Sequence, residues 1–151
     1  MTGDQKMKKH RIGVFEILFV VLCIVFAISV YKNYKLASYN EETFMLNYNN
    51  VIYNCRNMLV EDISEDALTK YKEENSHRCY VMFALIQQCR FDKNRDIGPI
   101  IYYLDEASKR YTPQNPTFTK AIYDELVTLS EDMYDEDVSR NICDMFYEII
   151  K

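Results

Sequence analysis

The sequence predicts an all-α protein in which an N-terminal transmembrane helix continues into a small helical bundle. First, residues 12–31 (IGVFEILFVVLCIVFAISVY) hold fourteen Ile, Leu, Val and Phe residues and one charged residue. Second, apolar residues downstream recur every three or four positions, which is the period of an amphipathic helix. Third, strand alternation and hairpin signals such as Asn-Gly are absent from the sequence, and glycine occurs only at positions 3, 13 and 98.

The apolar segment 12–31 predicts a membrane anchor. As a helix rising about 1.5 Å per residue it covers roughly 30 Å, the thickness of a hydrocarbon core, and its backbone amides bond internally. Its apolar side chains favour insertion by roughly 6 kcal/mol, which exceeds the cost of one carboxylate near an end. A cleaved signal peptide, with Ala27 and Ser29 at the cleavage site, is the alternative. The apolar run is long for such a segment.

Charge orients the predicted anchor. Residues 1–11 hold four Lys or Arg against one Asp, a net charge of +3, whereas residues 32–151 hold fourteen basic against twenty-one acidic side chains, a net charge of −7. Because basic flanks stay in the cytoplasm, we expect residues 1–11 to form a cytoplasmic tail and residues 32–151 an extracytoplasmic helical domain. An acidic domain does not suit nucleic acid, whose phosphates need Lys and Arg, so no nucleic-acid partner is expected.

The first two helices of the domain are predicted from apolar stripes and capping residues. The first helix continues from the anchor as a stem to about Asp62. Its apolar stripe, which other helices are expected to cover, is Met45, Tyr48, Ile52, Cys55 and Leu59. Asp62 followed by Glu65, or Ser64 followed by Glu65 and Asp66, is a start signal for a second helix. This helix is expected to reach Arg90. Its expected buried face is Leu68, Tyr71, Cys79, Met82, Phe83, Ile86 and Cys89.

Proline-containing breaks predict three further helices. The third is expected over residues 99–110, with Pro99 in its first position. Asn115 and Pro116 are expected to cap and open the fourth, whose stripe is Phe118, Ile122, Leu126, Leu129 and Met133. Asp135 or Asp137 caps the fifth, with a stripe of Val138, Ile142, Met145, Phe146 and Ile149.

The cysteines of the domain are expected to be free. Cys55, Cys79, Cys89 and Cys143 are even in number, which permits two disulfides in an oxidising compartment. Cys79 and Cys89 lie in one predicted helix about 15 Å apart, whereas bridged Cα atoms lie within roughly 7 Å of each other. Folding the second helix back on the first leaves Cys55 far from both. Buried thiols are therefore predicted, with disulfides as the alternative.

One motif resembles the opening of a calcium loop. Residues 92–96 (DKNRD) place Asp, Asn and Asp at alternate positions, as the first half of such a loop does. The sixth and twelfth positions, which require glycine and a bidentate carboxylate, hold Ile97 and Tyr103. We therefore expect a solvated helix connection here, and no metal.

No pattern in the sequence indicates catalysis. His77 and Cys79 point to different sides of a helix, and the acidic residues of 131–137 span a helix end, so a structural role and a solvated surface are favoured over metal sites. There is no nucleophile beside a base and no glycine-rich phosphate loop. We expect a non-enzymatic protein without a cofactor, and a hydrolase built on two carboxylates is the alternative left open.

Tyrosine is abundant, with thirteen residues against no tryptophan. Tyr48, Tyr53, Tyr102 and Tyr103 are the candidate partner surface, because an exposed tyrosine adds rigid amphipathic contact area for a protein partner. Ordinary helix packing, with the hydroxyl at the rim, is the alternative and is favoured for most of the tyrosines.

Glu16 is the one charged residue of the anchor. The run KKHRIGVFEILFVVLCIVFAISV resembles the amino-terminal segment of type IV pilins and pseudopilins, where a basic leader precedes an apolar helix with glutamate at its fifth mature position. The resemblance covers only this segment and implies that Ile12 is the first mature residue. Arg11 precedes it, where the family's leader peptidase takes glycine. A plain anchor in which Glu16 reaches water near the helix end is the alternative.

These observations predict a non-enzymatic interaction or accessory subunit of a cell-envelope assembly. The lipid bilayer and a membrane or envelope protein are its expected partners, and the stem stripe is compatible with a homodimer. A ligand-sensing helical bundle that acts through a partner protein and a pilin-like subunit are the alternative functions.

Overall fold

The computed structural model describes residues 3–150, together with the side chains of residues 13–91 and 93–150. Over this range the chain forms five α-helices and no β-strand, which confirms the predicted all-α class. They are α1 (Gly3–Met58), α2 (Glu65–Leu85), α3 (Ile97–Arg110), α4 (Lys120–Glu131) and α5 (Glu136–Ile150). The side chains of the predicted basic tail, residues 1–11, lie outside the described residues.

The chain divides into two compact units between Ala37 and Ser38. In the first unit, every residue from 14 to 36 is exposed on α1, although most side chains from 14 to 30 are apolar. By its length and composition this helix is able to cross a membrane. The predicted arrangement, a long apolar N-terminal helix followed by a helical bundle, is confirmed.

The second unit is a bundle with one hydrophobic core. Its largest fully buried side chains include Phe44, Tyr48, Met58, Met82, Phe118 and Phe146, contributed by α1, α2, α5 and the segment before α4. The predicted α1 stripe lies in this core, with Tyr48, Ile52 and Cys55 buried and Met45 and Leu59 packed at its edge. The stripe is therefore covered within the chain and is not available to a second copy.

Helix α2 ends earlier than predicted. It stops at Leu85, and two short 3₁₀ turns, Ile86–Gln88 and Arg90–Lys93, follow with Cys89 extended between them. A hydrogen bond from α1 holds the first of these turns: the Asn40 side-chain amide donates to Gln88 Oε1 at 3.0 Å. Cys79 and Cys89 therefore do not share a helix. Leu68, Cys79, Met82 and Cys89 are buried as expected, whereas Phe83 is 41% exposed.

The starts of α3 and α4 also differ from the prediction. Helix α3 begins at Ile97, so Pro99 is its third residue. Helix α4 begins at Lys120 instead of Pro116, and Thr119 is its N-cap. The preceding segment is held outside the helix by tertiary contacts, since Thr117 Oγ1 donates to the Ala107 carbonyl at 2.5 Å.

Other local predictions are confirmed. Ser64 Oγ accepts a hydrogen bond from Ala67 N at 3.3 Å and caps α2. Asp135 Oδ1 accepts from Val138 N at 3.0 Å and caps α5. The apolar stripe predicted for the fourth helix is buried at all five positions, and the stripe predicted for the fifth helix is buried at Ile142 and Phe146.

Candidate interaction surface

The part of α1 that belongs to the bundle is covered on all sides except one narrow stripe. Between residues 39 and 58, six residues are exposed, and every other residue is buried or half-buried. The six are Tyr39, Glu42, Leu46, Asn49, Tyr53 and Arg56, which we call the outer seam. Their spacing alternates between three and four residues. This is the spacing with which one α-helix packs along another.

The apolar members of the outer seam stand in a line. Tyr39, Leu46 and Tyr53 are 64%, 62% and 59% exposed and follow each other at seven-residue intervals, about 10 Å apart along the helix axis. Glu42, Asn49 and Arg56 lie beside them at the same interval. A single exposed apolar residue is ordinary on a protein surface, but three in line on one helix form a continuous contact strip.

The assignment of Tyr48 to a partner surface is wrong. Tyr48 is 1% exposed, and its hydroxyl donates to the backbone carbonyl of Leu126 at 3.1 Å. Its ring stacks on Phe44 with a centroid distance of 6.4 Å. Burial raises the pKa of the Tyr48 hydroxyl, which therefore stays a hydrogen-bond donor.

The other candidate tyrosines fall in two places. Tyr53 belongs to the outer seam, whereas Tyr102 and Tyr103 are neighbours on α3. Tyr102 is 53% exposed, but Tyr103 is half-buried and stacks on Phe146 at 5.8 Å. The structure therefore does not gather the four tyrosines into one surface.

Glu16 is exposed on the apolar part of α1. It borders a shallow apolar depression lined by Phe15, Leu18, Phe19 and Leu22. Its carboxylate is thus displayed on the helix surface among lipid-compatible side chains.

A buried polar network joins three helices of the bundle. The amide nitrogen of Asn75 on α2 donates to Ser108 Oγ on α3 at 3.0 Å, and the Asn75 Oδ1 accepts from the Asn54 amide on α1 at 2.9 Å. Asn75 and Ser108 are fully buried, and Asn54 is 4% exposed. Since buried polar groups are costly unless they are bonded, this network fixes the three helices in one register.

Cys55 lies next to this network and stays a thiol. Cys23, Cys55, Cys79 and Cys143 are not in disulfides, and Cys55, Cys79 and Cys89 are buried. Burial raises the pKa of the Cys55 thiol to about 12, although its hydrogen bonds to Ser108 and Asn75 act in the opposite direction. The thiolate is the nucleophile, so a thiol held protonated at neutral pH does not serve as one.

The calcium-like motif is used for internal bonding. Asn94 is 3% exposed, and its amide donates to Ser139 Oγ at 2.7 Å and to the Met133 carbonyl at 3.0 Å. Its Oδ1 accepts from Asp96 N at 3.2 Å. Asn94 thus ties the connection before α3 to the one before α5, and it is buried where a solvated connection was expected. Among the described side chains, no group of three His, Cys, Asp or Glu is placed to hold a metal ion.

A charged clamp holds the beginning of the second unit. The Arg90 Nε donates to both oxygens of Glu41 at 2.9 and 3.0 Å, and Arg90 N donates to Oε1 at 2.5 Å. These hydrogen bonds lower the pKa of the Glu41 carboxyl group. Paired charges with this geometry are among the stronger polar contacts of a surface.

Comparisons of the chain with protein-family models, with curated proteins and with solved structures gave no match. The surfaces of the chain itself are therefore the basis for assigning a function.

Proposed function

We propose that this protein is a single-pass, membrane-anchored interaction subunit that binds a membrane or envelope protein through the outer seam. Its N-terminal tail lies in the cytoplasm and its bundle lies outside, and it is not an enzyme. The observation that carries the proposal is the outer seam itself. It places three large, exposed apolar side chains in line on a helical segment, residues 39–58, whose other faces the bundle covers.

The exposure of α1 in the first unit supports the anchor. Every residue from 14 to 36 is exposed, and in water the apolar side chains among them would carry a large hydration cost. In a bilayer the same side chains are in their preferred solvent. The net charge of +3 on residues 1–11 favours a cytoplasmic N-terminus.

The composition of the outer seam supports protein binding. Tyrosine is enriched at the energetic centres of interfaces, because its ring adds contact area with few rotatable bonds and its hydroxyl tolerates water. The bundle already has a complete core, so Tyr39, Leu46 and Tyr53 contribute little to its packing. A contact function explains their alignment.

The first test concerns the membrane and the orientation. The full-length protein is expected to stay in the membrane fraction after washes with high salt and with alkaline carbonate. With Lys120 changed to cysteine, intact cells are expected to label with a membrane-impermeant maleimide, whereas a Lys6→Cys variant labels only after permeabilisation. The unsubstituted protein is the control for its native thiols. Release by salt would contradict the anchor, and the reverse labelling pattern would contradict the orientation.

The second test concerns the outer seam. A photo-crosslinking amino acid at Tyr53 or Leu46 is expected to give a specific adduct with a membrane protein in cells, and Tyr39→Ser is expected to weaken the Tyr53 adduct several-fold. Tyr80 is the matched control, since it is a tyrosine on α2 and is 74% exposed. Equal adducts at Tyr53 and Tyr80, or none at the seam positions, would reject the seam as the binding surface.

A further inference from the structure

The outer seam carries two charged residues of opposite sign. Glu42 and Arg56 lie seven residues before and seven residues after Asn49, roughly 10 Å to either side along α1. Both side chains are exposed, as is Asn49. A negative and a positive charge therefore stand at equal distances on the two sides of the Asn49 amide.

These charges decide in which relative orientation two copies of the seam fit each other. Two seams in parallel would place Glu42 beside Glu42 and Arg56 beside Arg56, and like charges in contact are unfavourable. Two antiparallel seams centred near Asn49 place Glu42 beside Arg56 twice. The same alignment brings Leu46 of each copy beside Tyr53 of the other, so apolar residues meet apolar residues.

We propose that the outer seam binds the outer seam of a second copy of this chain, with the two α1 helices antiparallel. The inference rests on the proposed function and names its partner. At the centre of the pair the Asn49 side chains of both copies meet, and a carboxamide is self-complementary because it has both a donor and an acceptor. Around the centre, each Glu42 carboxylate pairs with an Arg56 guanidinium.

Charge reversal tests the pairing with the full-length chain in detergent. Glu42→Arg and Arg56→Glu each turn both ion pairs into repulsive ones, so each is expected to weaken dimerisation about tenfold at low salt. The double variant E42R/R56E restores both pairs and is expected to dimerise like the unsubstituted chain. Glu148→Arg, the same charge change on the exposed face of α5, is the control. Dimerisation is measured by light scattering during size-exclusion chromatography.

Orientation is tested by disulfide trapping. In a Cys23→Ser background, a mixture of E42C and R56C chains is expected to give the mixed disulfide between one E42C chain and one R56C chain. Parallel pairing would instead join two E42C chains or two R56C chains, and that result would contradict the antiparallel arrangement.

The outcomes separate this inference from the proposed function. If the unsubstituted chain and both charge-reversal variants are monomers, and Tyr53 gives a photo-adduct with a different protein, self-pairing would be overturned. The seam would then remain a binding surface for that other protein. A monomer without any Tyr53 adduct would overturn both. A dimer whose affinity is the same in all four charge variants would show that the copies meet elsewhere.

Discussion

Replacing Tyr48 with alanine is expected to destabilise the bundle by about 4 kcal/mol, because the change empties a fully packed aromatic site and removes a buried hydrogen bond. The ring of Tyr48 stacks on Phe44, and its hydroxyl bonds the Leu126 carbonyl at 3.1 Å. Urea unfolding of the full-length protein in detergent, followed by circular dichroism, measures the free energy of unfolding.

Two further variants show which part of Tyr48 matters. Tyr48→Phe keeps the ring and is expected to cost about 1 kcal/mol, the usual contribution of one such hydrogen bond. Tyr80→Ala removes the same type of side chain from the exposed face of α2, outside the outer seam, and is expected to change stability by less than about 0.5 kcal/mol. A similar loss for Tyr48→Ala and Tyr80→Ala would show that Tyr48 is not in the core.

Replacing Asn75 with leucine is expected to cost about 3 kcal/mol. The change leaves the Asn54 amide and the Ser108 hydroxyl, both buried, without the hydrogen bonds of 2.9 and 3.0 Å that Asn75 makes with them. An unsatisfied buried polar group costs about 1–3 kcal/mol. The same urea unfolding experiment gives the loss.

A double substitution isolates the network from simple packing. In N75L/S108A the hydroxyl that has lost its Asn75 partner is also removed, so the double variant is expected to be more stable than the sum of the two single losses predicts. Glu73→Leu, a substitution to leucine on the exposed face of the same helix α2, is the control and is expected to be nearly neutral. Additive losses in the double variant would mean that Asn75 and Ser108 act independently.

The sequence was sufficient to predict the helical class and most helix positions, because proline, capping residues and apolar spacing act locally. The prediction from the sequence was wrong at the end of α2 and the start of α4, because residues distant in the chain make the contacts that set these two boundaries. Gln88 is bonded by Asn40, and Thr117 by the Ala107 carbonyl. Nothing within either segment carries that information.

The candidate surface was predicted only in part, for a different physical reason. Tyr48 and Tyr53 are the same residue type on one helix, and an apolar pattern alone does not tell which face the rest of the chain will cover. Between residues 39 and 58 the bundle covers α1 on every face except the outer seam, so the stripe of Tyr48 is inside and Tyr53 is not. Asn54, Asn75 and Asn94 are buried too, and the sequence does not indicate this because asparagine is mostly found at the surface.

The clamp between Glu41 and Arg90 has a mechanical consequence. Asn40 and Glu41 are among the first residues of the second unit, and they bond to residues 48 and 49 positions further along the chain. A pull transmitted along the polypeptide from its N-terminal side reaches these bonds before it reaches Phe44 and the interior. The load is thus shared with the segment around Gln88 and Arg90, and these bonds must break before the first turns of this part of α1 can detach.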